Sequence, residues 1–464
     1  FVPEVMQNRR DMLRNSALGF GSLALTSMLQ AQNQLAAKRP HFPTRAKRII
    51  FLFMKGGPSQ VDTFEHKPLL QRDHGKPLPF DKPKVTFAKT GNLLASPWKF
   101  KPYGQCGHMV SELFPNVARH VDDICFLHGV HGTNPAHGGA LLKLHTGADN
   151  FVRPSMGAWV GYGLGTENED LPSFVTICPT LAHGGLNNWG SAFLPSHYGG
   201  TPIGNASIPA KDAKVHHIKN SKWTRSQQRM QLDFLKQLNK DHLGQSPNPV
   251  LESRINSFEL AFRMQASMPE IQDIRGETEP TRKLYGLDNP VTEDFGRQCL
   301  MARRFAERGV RFVQVSHSDN KVQWDQHGNL KKGHTEKASE VDKPIAGLLY
   351  DLKARGLLDD TLVLWSGEFG RTPTVQGAGM DGRDHNPWGF TMWMAGGGVK
   401  GGYSYGATDD YGFYAEQQRM HIHDVHATIL HLLGLNHEKL TYRHGGRDFR
   451  LTDVFGKVAE DIMI

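Results

Sequence analysis

Cysteine is scarce. The 464-residue chain holds four, Cys106, Cys125, Cys178 and Cys299, far apart and never as Cys-x-x-Cys. That spacing excludes a cysteine-built zinc site. Cys125 and Cys178 lie inside apolar runs and read as buried thiols. Long apolar runs are missing as well: none approaches the roughly 20 residues that a membrane-spanning helix needs. There is no block of like charges and no arginine stripe, although 54 Lys and Arg face 46 Asp and Glu for a net charge of +8. So mild an excess, spread along the chain, argues against a nucleic-acid partner and leans only weakly toward an anionic substrate. Internal repeats and low-complexity tracts are absent, which excludes solenoid arrays and a disordered tail of that kind. The stretch "AGGGVKGG" (395–402) lacks the order of a dinucleotide fingerprint and reads as a turn.

What is present fits a packed protein, with 38% apolar and 22% charged residues. The N-terminal "NRRDMLRNSALGFGSLALTSML" sets Arg9-Arg10 before a short segment rich in Gly, Ala and Ser. It resembles a twin-arginine export signal, with an amphipathic N-terminal helix as the plainer alternative. Residues 1–40 are accordingly expected to be signal and linker, cleaved near Ala36-Ala37. The partner is then the twin-arginine export machinery, and the location is periplasmic or secreted. Export of folded proteins suits one that acquires a metal before it leaves the cytoplasm.

From residue 45 onward, strand-like runs alternate with helical patterns. "RIIFLFM", "DICFLHGV", "SFVTICP", "RFVQVSH", "TLVLWSG" and "FTMWMAG" are continuous and apolar, as strands covered on both faces are. Helices are expected in "SMGAWVGYGLG" behind Ser155, in "DFGRQCLMARRFAERG" up to Gly309, and in "DVHATILHLLG" up to Gly434. One more is expected in "ASEVDKPIAGLLYDLKARG", with a kink or restart at Pro344. The fold class is α/β: a mostly parallel central sheet with helices on both faces. Residues 205–290 interrupt the alternation and read as a helical insertion within a single domain, 45–464.

Polar residues crowd just after the strand-like runs, where ligands collect in such folds. Ser59 and Asp62 follow the first run, and Thr133, Asn134 and His137 follow the second. Asp325 and His327 follow "RFVQVSH", Glu368 and Arg371 follow "TLVLWSG", and Asp384-His385 stand in "DGRDHNPWG". Mixed imidazole and carboxylate groups suit zinc, manganese, magnesium or calcium, one or two ions. Taken singly, each pair reads first as a polar turn or cap, and only their shared position after the strands raises the joint reading. Gly56-Gly57-Pro58 reads as an anion-binding nest or a tight turn. His421, His423, His426 and His431 read as helix-surface or core histidines.

At these residues the chain resembles a known family. "FMKGGPSQVDTFEHKP", "PSMGAWVGYGLG", "WDQHGN", "GEFGRTP", "GRDHNPWGFTMWMAGGGVKGG" and "DVHATILHLLGL…GRDFRLTDVFG" look like the bacterial family labelled domain of unknown function 1501. That family is related to sulfatases within the alkaline phosphatase superfamily. The resemblance implies an alkaline-phosphatase-like sheet, two metal positions and a nucleophile at a helix start. It implies metal roles for Asp325 and His327, though spaced by two rather than four, and for Glu368, Asp384 and His385. Two departures stand out. After the first strand the chain has Lys55-Gly56-Gly57, so Asp62 is the nearest carboxylate. Ten residues before Gly147, where sulfatases carry Cys or Ser, stands His137.

Two readings follow. The first is an exported metal-dependent hydrolase of sulfate or phosphate esters, on an anionic ester or sulfated polysaccharide. Its metal would be held by Asp325, His327, Glu368, Asp384, His385 and Asp62. Its chemistry would fall to His137, Thr133 or Ser59, and its substrate contacts to Asn134 and Arg371. The second is a non-catalytic relative with a binding or assembly role at the cell surface.

Overall fold

The computed structural model describes residues 36–82, 89–245, 249–319, 323–376 and 381–464. The export segment expected before residue 36 lies outside them. The main sheet has nine strands. In chain order they are β1 (Arg48–Met54), β2 (Ile124–His131), β3 (Phe174–Ile177), β4 (Thr201–Ile203) and β5 (Phe312–His317). Then come β6 (Thr361–Ser366), β7 (Phe390–Ala395), β8 (Tyr403–Tyr405) and β9 (Met420–His421). Across the sheet the order is β8-β2-β7-β6-β1-β5-β3-β4, with β9 also on β2. β7 alone runs against its neighbours; every other pairing is parallel.

Central strands are buried on both sides because each face has its own core. Ile50, Leu52 and Met54 of β1 join one apolar cluster, and Ile49, Phe51 and Phe53 join the other. Helices α5 (Glu293–Glu307) and α6 (Leu330–Ala354) cover the first face. Helices α1 (His137–Thr146), α2 (Met156–Leu164) and α7 (Ile422–Leu432) cover the second. Ser155 caps α2, its hydroxyl accepting the Ala158 N–H. α5 ends before Gly309, whose φ of +85° favours glycine.

Helix α6 does not restart at Pro344. It starts well before Ala338 and runs unbroken through Pro344. The missing N–H costs a bond, but Val341, Ile345, Leu348, Leu349 and Leu352 hold the helix on the sheet. Residues 205–290 contain α3 (Arg225–Gln245) and α4 (Pro249–Gln272), an antiparallel pair. Among the described residues no helix is long and apolar enough to cross a membrane.

The topology decides where side chains meet. β1, β2, β3, β5 and β6 end at one edge. β7, running the other way, begins there, so the residues before it reach the same place as the residues after the others. A small sheet sits at that edge, in which Gly370–Gln376 pairs antiparallel with Arg383–Asn386 and sets Arg371 opposite His385.

A histidine and carboxylate cluster at the sheet edge

Asp325 is the hub. Its Oδ1 lies 2.9 Å from His327 Nε2, 3.1 Å from His385 Nε2 and 2.6 Å from an Arg371 nitrogen. Its Oδ2 lies 3.1 Å from His137 Nε2. The two further imidazole nitrogens, His327 Nε2 and His385 Nε2, are 3.1 Å apart. Burial alone would raise the Asp325 carboxyl, but the Arg371 charge and the three imidazoles hold it well below the usual carboxylate range.

The far nitrogens of the imidazoles fix what the near ones offer. His385 Nδ1 is 2.6 Å from the Pro135 carbonyl oxygen, which only accepts, so the ring proton is on Nδ1. His327 Nδ1 is paired in the same way with Gln376 Oε1. Both Nε2 atoms therefore point bare lone pairs at each other and at a carboxylate oxygen. Burial pushes His385 down to about 4, with Asp325 opposing and Arg371 assisting, so the ring is neutral near pH 7.

His137 stands at the first turn of α1, in the loop that follows β2. Its Nδ1 is 2.7 Å from Glu368 Oε1. Both oxygens of Glu368 also accept the Gly56 N–H at 3.0 Å. The nest reading of the Gly-Gly turn thus has an occupant, the Glu368 carboxylate. Gly56 has φ +103°, and a Cβ there would sit 2.8 Å from the Asp325 backbone nitrogen. Glycine is required for the two loops to meet. Burial would lower His137, but the Asp325 and Glu368 carboxylates beside its two nitrogens outweigh it and raise the imidazole to about 9. His137 Nε2 is nonetheless buried and outside hydrogen-bond geometry.

Helix α7 holds α1 in place. His423 Nε2 bonds the Gly147 carbonyl and His426 Nε2 the Leu144 carbonyl, each at 2.7 Å. Of the two alternatives, helix surface or core, these two are core histidines.

Two donor groups among the described residues are close enough to share an ion: His137, Asp325 and His385, and His327, Asp384 and His385. Their atoms lie within 4.8 Å of one another. Asp384 is 1% exposed. One of its oxygens takes the His385 N–H at 2.8 Å, and the other is buried without a partner. A mixed nitrogen and oxygen set with an unpartnered carboxylate oxygen, Asp384 Oδ2, fits a divalent cation.

Other expected site residues are placed elsewhere, among them Asp62, expected as a ligand, Ser59, expected in catalysis, and Arg371, expected at the substrate. Asp62 is fully buried and bound by Arg383 at 2.7 and 3.1 Å, so it serves that guanidinium and not the cluster. Ser59 Oγ donates to Asp62 at 2.6 Å and is equally buried, which removes it from solvent and substrate. Arg371 is fully buried, bonding the Gly56 and Gly57 carbonyls as well as Asp325, so it anchors the hub and does not face a substrate. Glu368 meets His137 rather than the hub. Asn134 folds its Oδ1 onto the Ala136 N–H at 2.9 Å. Thr133 is exposed on the same loop.

Sequence reasoning missed three contributors. Gln376 and the Pro135 carbonyl set the imidazole tautomers, and neither carries a signal of its own. His183 did carry one. It follows the "SFVTICP" run, as the other site loops follow theirs, and its ring centroid lies 5.1 Å from that of His137.

The fold and the cluster together define an α/β protein with a candidate metal centre at the strand ends. The chain belongs to the family described as protein of unknown function (DUF1501), which matches residues 46–463. No curated protein matches it by sequence. Among solved structures, the PsFucS1 sulfatase from Pseudoalteromonas sp. is similar at 13% identity, covering 89% of this chain and 70% of that one, with a TM-score of 0.36. The lipoteichoic acid synthase LtaP from Listeria monocytogenes is similar at 10% identity over 92% of this chain and 80% of its own, TM-score 0.37. An alkaline phosphatase from the Antarctic bacterium TAB5 is similar at 10% identity over 85% and 99%, TM-score 0.36. Similarity at this level assigns no activity to the chain.

Proposed function

We propose that the protein is an exported metal-dependent hydrolase of sulfate or phosphate esters. The observation that supports this is the meeting of His327 Nε2, His385 Nε2 and Asp325 Oδ1, three lone-pair atoms with no more than 3.1 Å between any two. Ligands about 2.1 Å from one zinc ion lie roughly 3.4 Å apart, so the spacing is near that of a shared ion. Without a cation, three acceptors face one another, with the Arg371 guanidinium on one of them.

Asp325, His327, His385, His137 and Asp384 would hold the ion. A divalent cation bound there would supply Lewis acidity toward a phosphoryl or sulfuryl oxygen and acidify water. Glu368 receives the His137 Nδ1 proton and fixes the ring, as carboxylates behind metal-facing imidazoles do. Arg371 fixes the hub carboxylate from behind. His183, exposed and with its ring 5.1 Å from that of His137, is placed to pass a proton to a leaving group. Thr133 is the accessible hydroxyl of the same edge.

The second reading, a non-catalytic surface protein, is favoured by one observation: Ser59 Oγ is committed to Asp62 and cannot attack. Metal analysis of the purified chain and of His385→Ala, followed by assays on aryl sulfates, phosphomonoesters and phosphodiesters, separates the two. The hydrolase reading expects about one divalent ion or more per chain, at least tenfold less in the variant, and turnover of one ester class that chelators abolish. Absence of stoichiometric metal under every loading condition sinks it. Bound metal with uniform inactivity selects the second reading.

A further inference from the structure

Helix α3 turns an apolar stripe away from the protein. Its inward side meets α4: Gln228 accepts from Gln265 Nε2 at 2.9 Å, and Arg229 and Lys236 reach Glu259. On the side that helical spacing places opposite, one turn apart, stand Met230, Phe234 and Leu238, 64%, 65% and 48% exposed. Trp223, just ahead of the helix, is 46% exposed. Gln231 and Gln237 lie among them. Asp233, on the flank, is paired with Arg229 at 2.8 Å, and Asp241 closes the far end, taking Gln237 Nε2–H at 3.0 Å. A helix with apolar residues on the side away from its own core has a second surface to bury.

The loop that leads into α3 supplies charge. Between Asp212 and Asp233 stand Lys214, Lys219, Lys222, Arg225 and Arg229, and no carboxylate. Lys214, Lys219 and Lys222 are exposed, and among the described residues none of the three has a carboxylate partner. A cavity of about 730 Å³ between this loop and the end of α4 is lined by Lys211, Lys214, His217, Lys219 and Arg275. Its one carboxylate, Asp273, is held by Arg275 at 2.6 Å. Loop and stripe adjoin: His216, His217 and Ile218 share a groove with Gln231 and Leu235 of α3. We infer that α3 and this loop form a docking surface for an anionic lipid membrane. The helix lies along the interface with Trp223, Met230, Phe234 and Leu238 among the acyl chains, and the lysines meet headgroup phosphates. Charge and polarity together select that occupant. A second copy meeting this face with its own would carry the same excess of cations, and a soluble polyanion would leave the stripe in water. The surface is independent of the metal cluster and goes beyond the hydrolase reading.

Vesicle co-sedimentation of the full chain tests this, with equimolar phosphatidylglycerol and phosphatidylcholine set against phosphatidylcholine alone. Two paired variants change exposed side chains only: Phe234→Gln with Leu238→Gln, and Lys219→Gln with Lys222→Gln. The membrane surface expects binding to the anionic vesicles and binding to the neutral ones about tenfold weaker or less. It expects each paired variant to lose about tenfold in affinity at an unchanged melting temperature, and molar salt to weaken the parent. Tryptophan emission should shift to the blue on vesicle binding, a shift that Trp223→Phe removes because Trp223 is the exposed indole. No binding to the anionic vesicles, or full binding by either paired variant, overturns the inference. Inorganic polyphosphate bound equally by the parent and by the Phe234→Gln, Leu238→Gln variant, with vesicles ignored, overturns it in favour of a soluble polyanion. A dimer in sedimentation equilibrium that the same variant dissociates, again with vesicles ignored, overturns it in favour of a second copy.

Discussion

Asp62 and Arg383 are both fully buried, and each is the other's charge partner. Burial would raise the Asp62 carboxyl, but the Arg383 charge and hydrogen bonds hold it low. Asp62→Ala therefore strands a buried guanidinium, at a cost of about 3–5 kcal/mol. Denaturant unfolding should show that loss, while metal content per folded molecule stays at the parent level. A fall in metal content at full folding would return Asp62 to the cluster. At His385 the same kind of reasoning runs through one proton. The Pro135 carbonyl fixes it on Nδ1, so the other nitrogen turns a lone pair toward the cluster.

At the scale of elements, α1 carries His137 and is tied to α7 by two imidazoles. His426→Ala leaves the Leu144 carbonyl buried and unpaired, worth about 1–3 kcal/mol. A thermal melt should fall accordingly, with the far-ultraviolet spectrum unchanged; an unshifted melt would mean that the tie is idle. Much of this level was legible in sequence. Strands covered on both faces read as continuous apolar runs, and "RIIFLFM" could be little else. The direction of β7 was not legible, because "FTMWMA" reads alike either way. Yet that direction is what brings Asp384 and His385, which precede their strand, to the edge where the others follow theirs. Glu368 was found by position, but its partner was not. That depends on the Gly56 N–H, a backbone group that no side-chain pattern reports.

For the whole molecule, the many histidines set a limit in acid. His145, His334 and His426 are buried neutral, their imidazoles pushed down to about 4, 3 and 3 by loss of solvent. In the unfolded chain each titrates near 6.5. Between those values the unfolded state binds more protons, so stability is full above about pH 6.5 and declines as the pH falls. At pH 5 each ring removes about 2 kcal/mol, and the three together compare with a typical net stability of ~5–15 kcal/mol. Carboxylates held low, such as Glu368 and Asp325, lose their contribution only at more acid pH, below the range where unfolded carboxyls titrate near 4. The melting temperature should therefore drop between pH 6.5 and 5, before any carboxylate effect. His426→Gln keeps a donor for the Leu144 carbonyl but does not titrate, so its curve should be flatter over that interval. Equal slopes for parent and variant would show that this ring is not among the groups that acid attacks first.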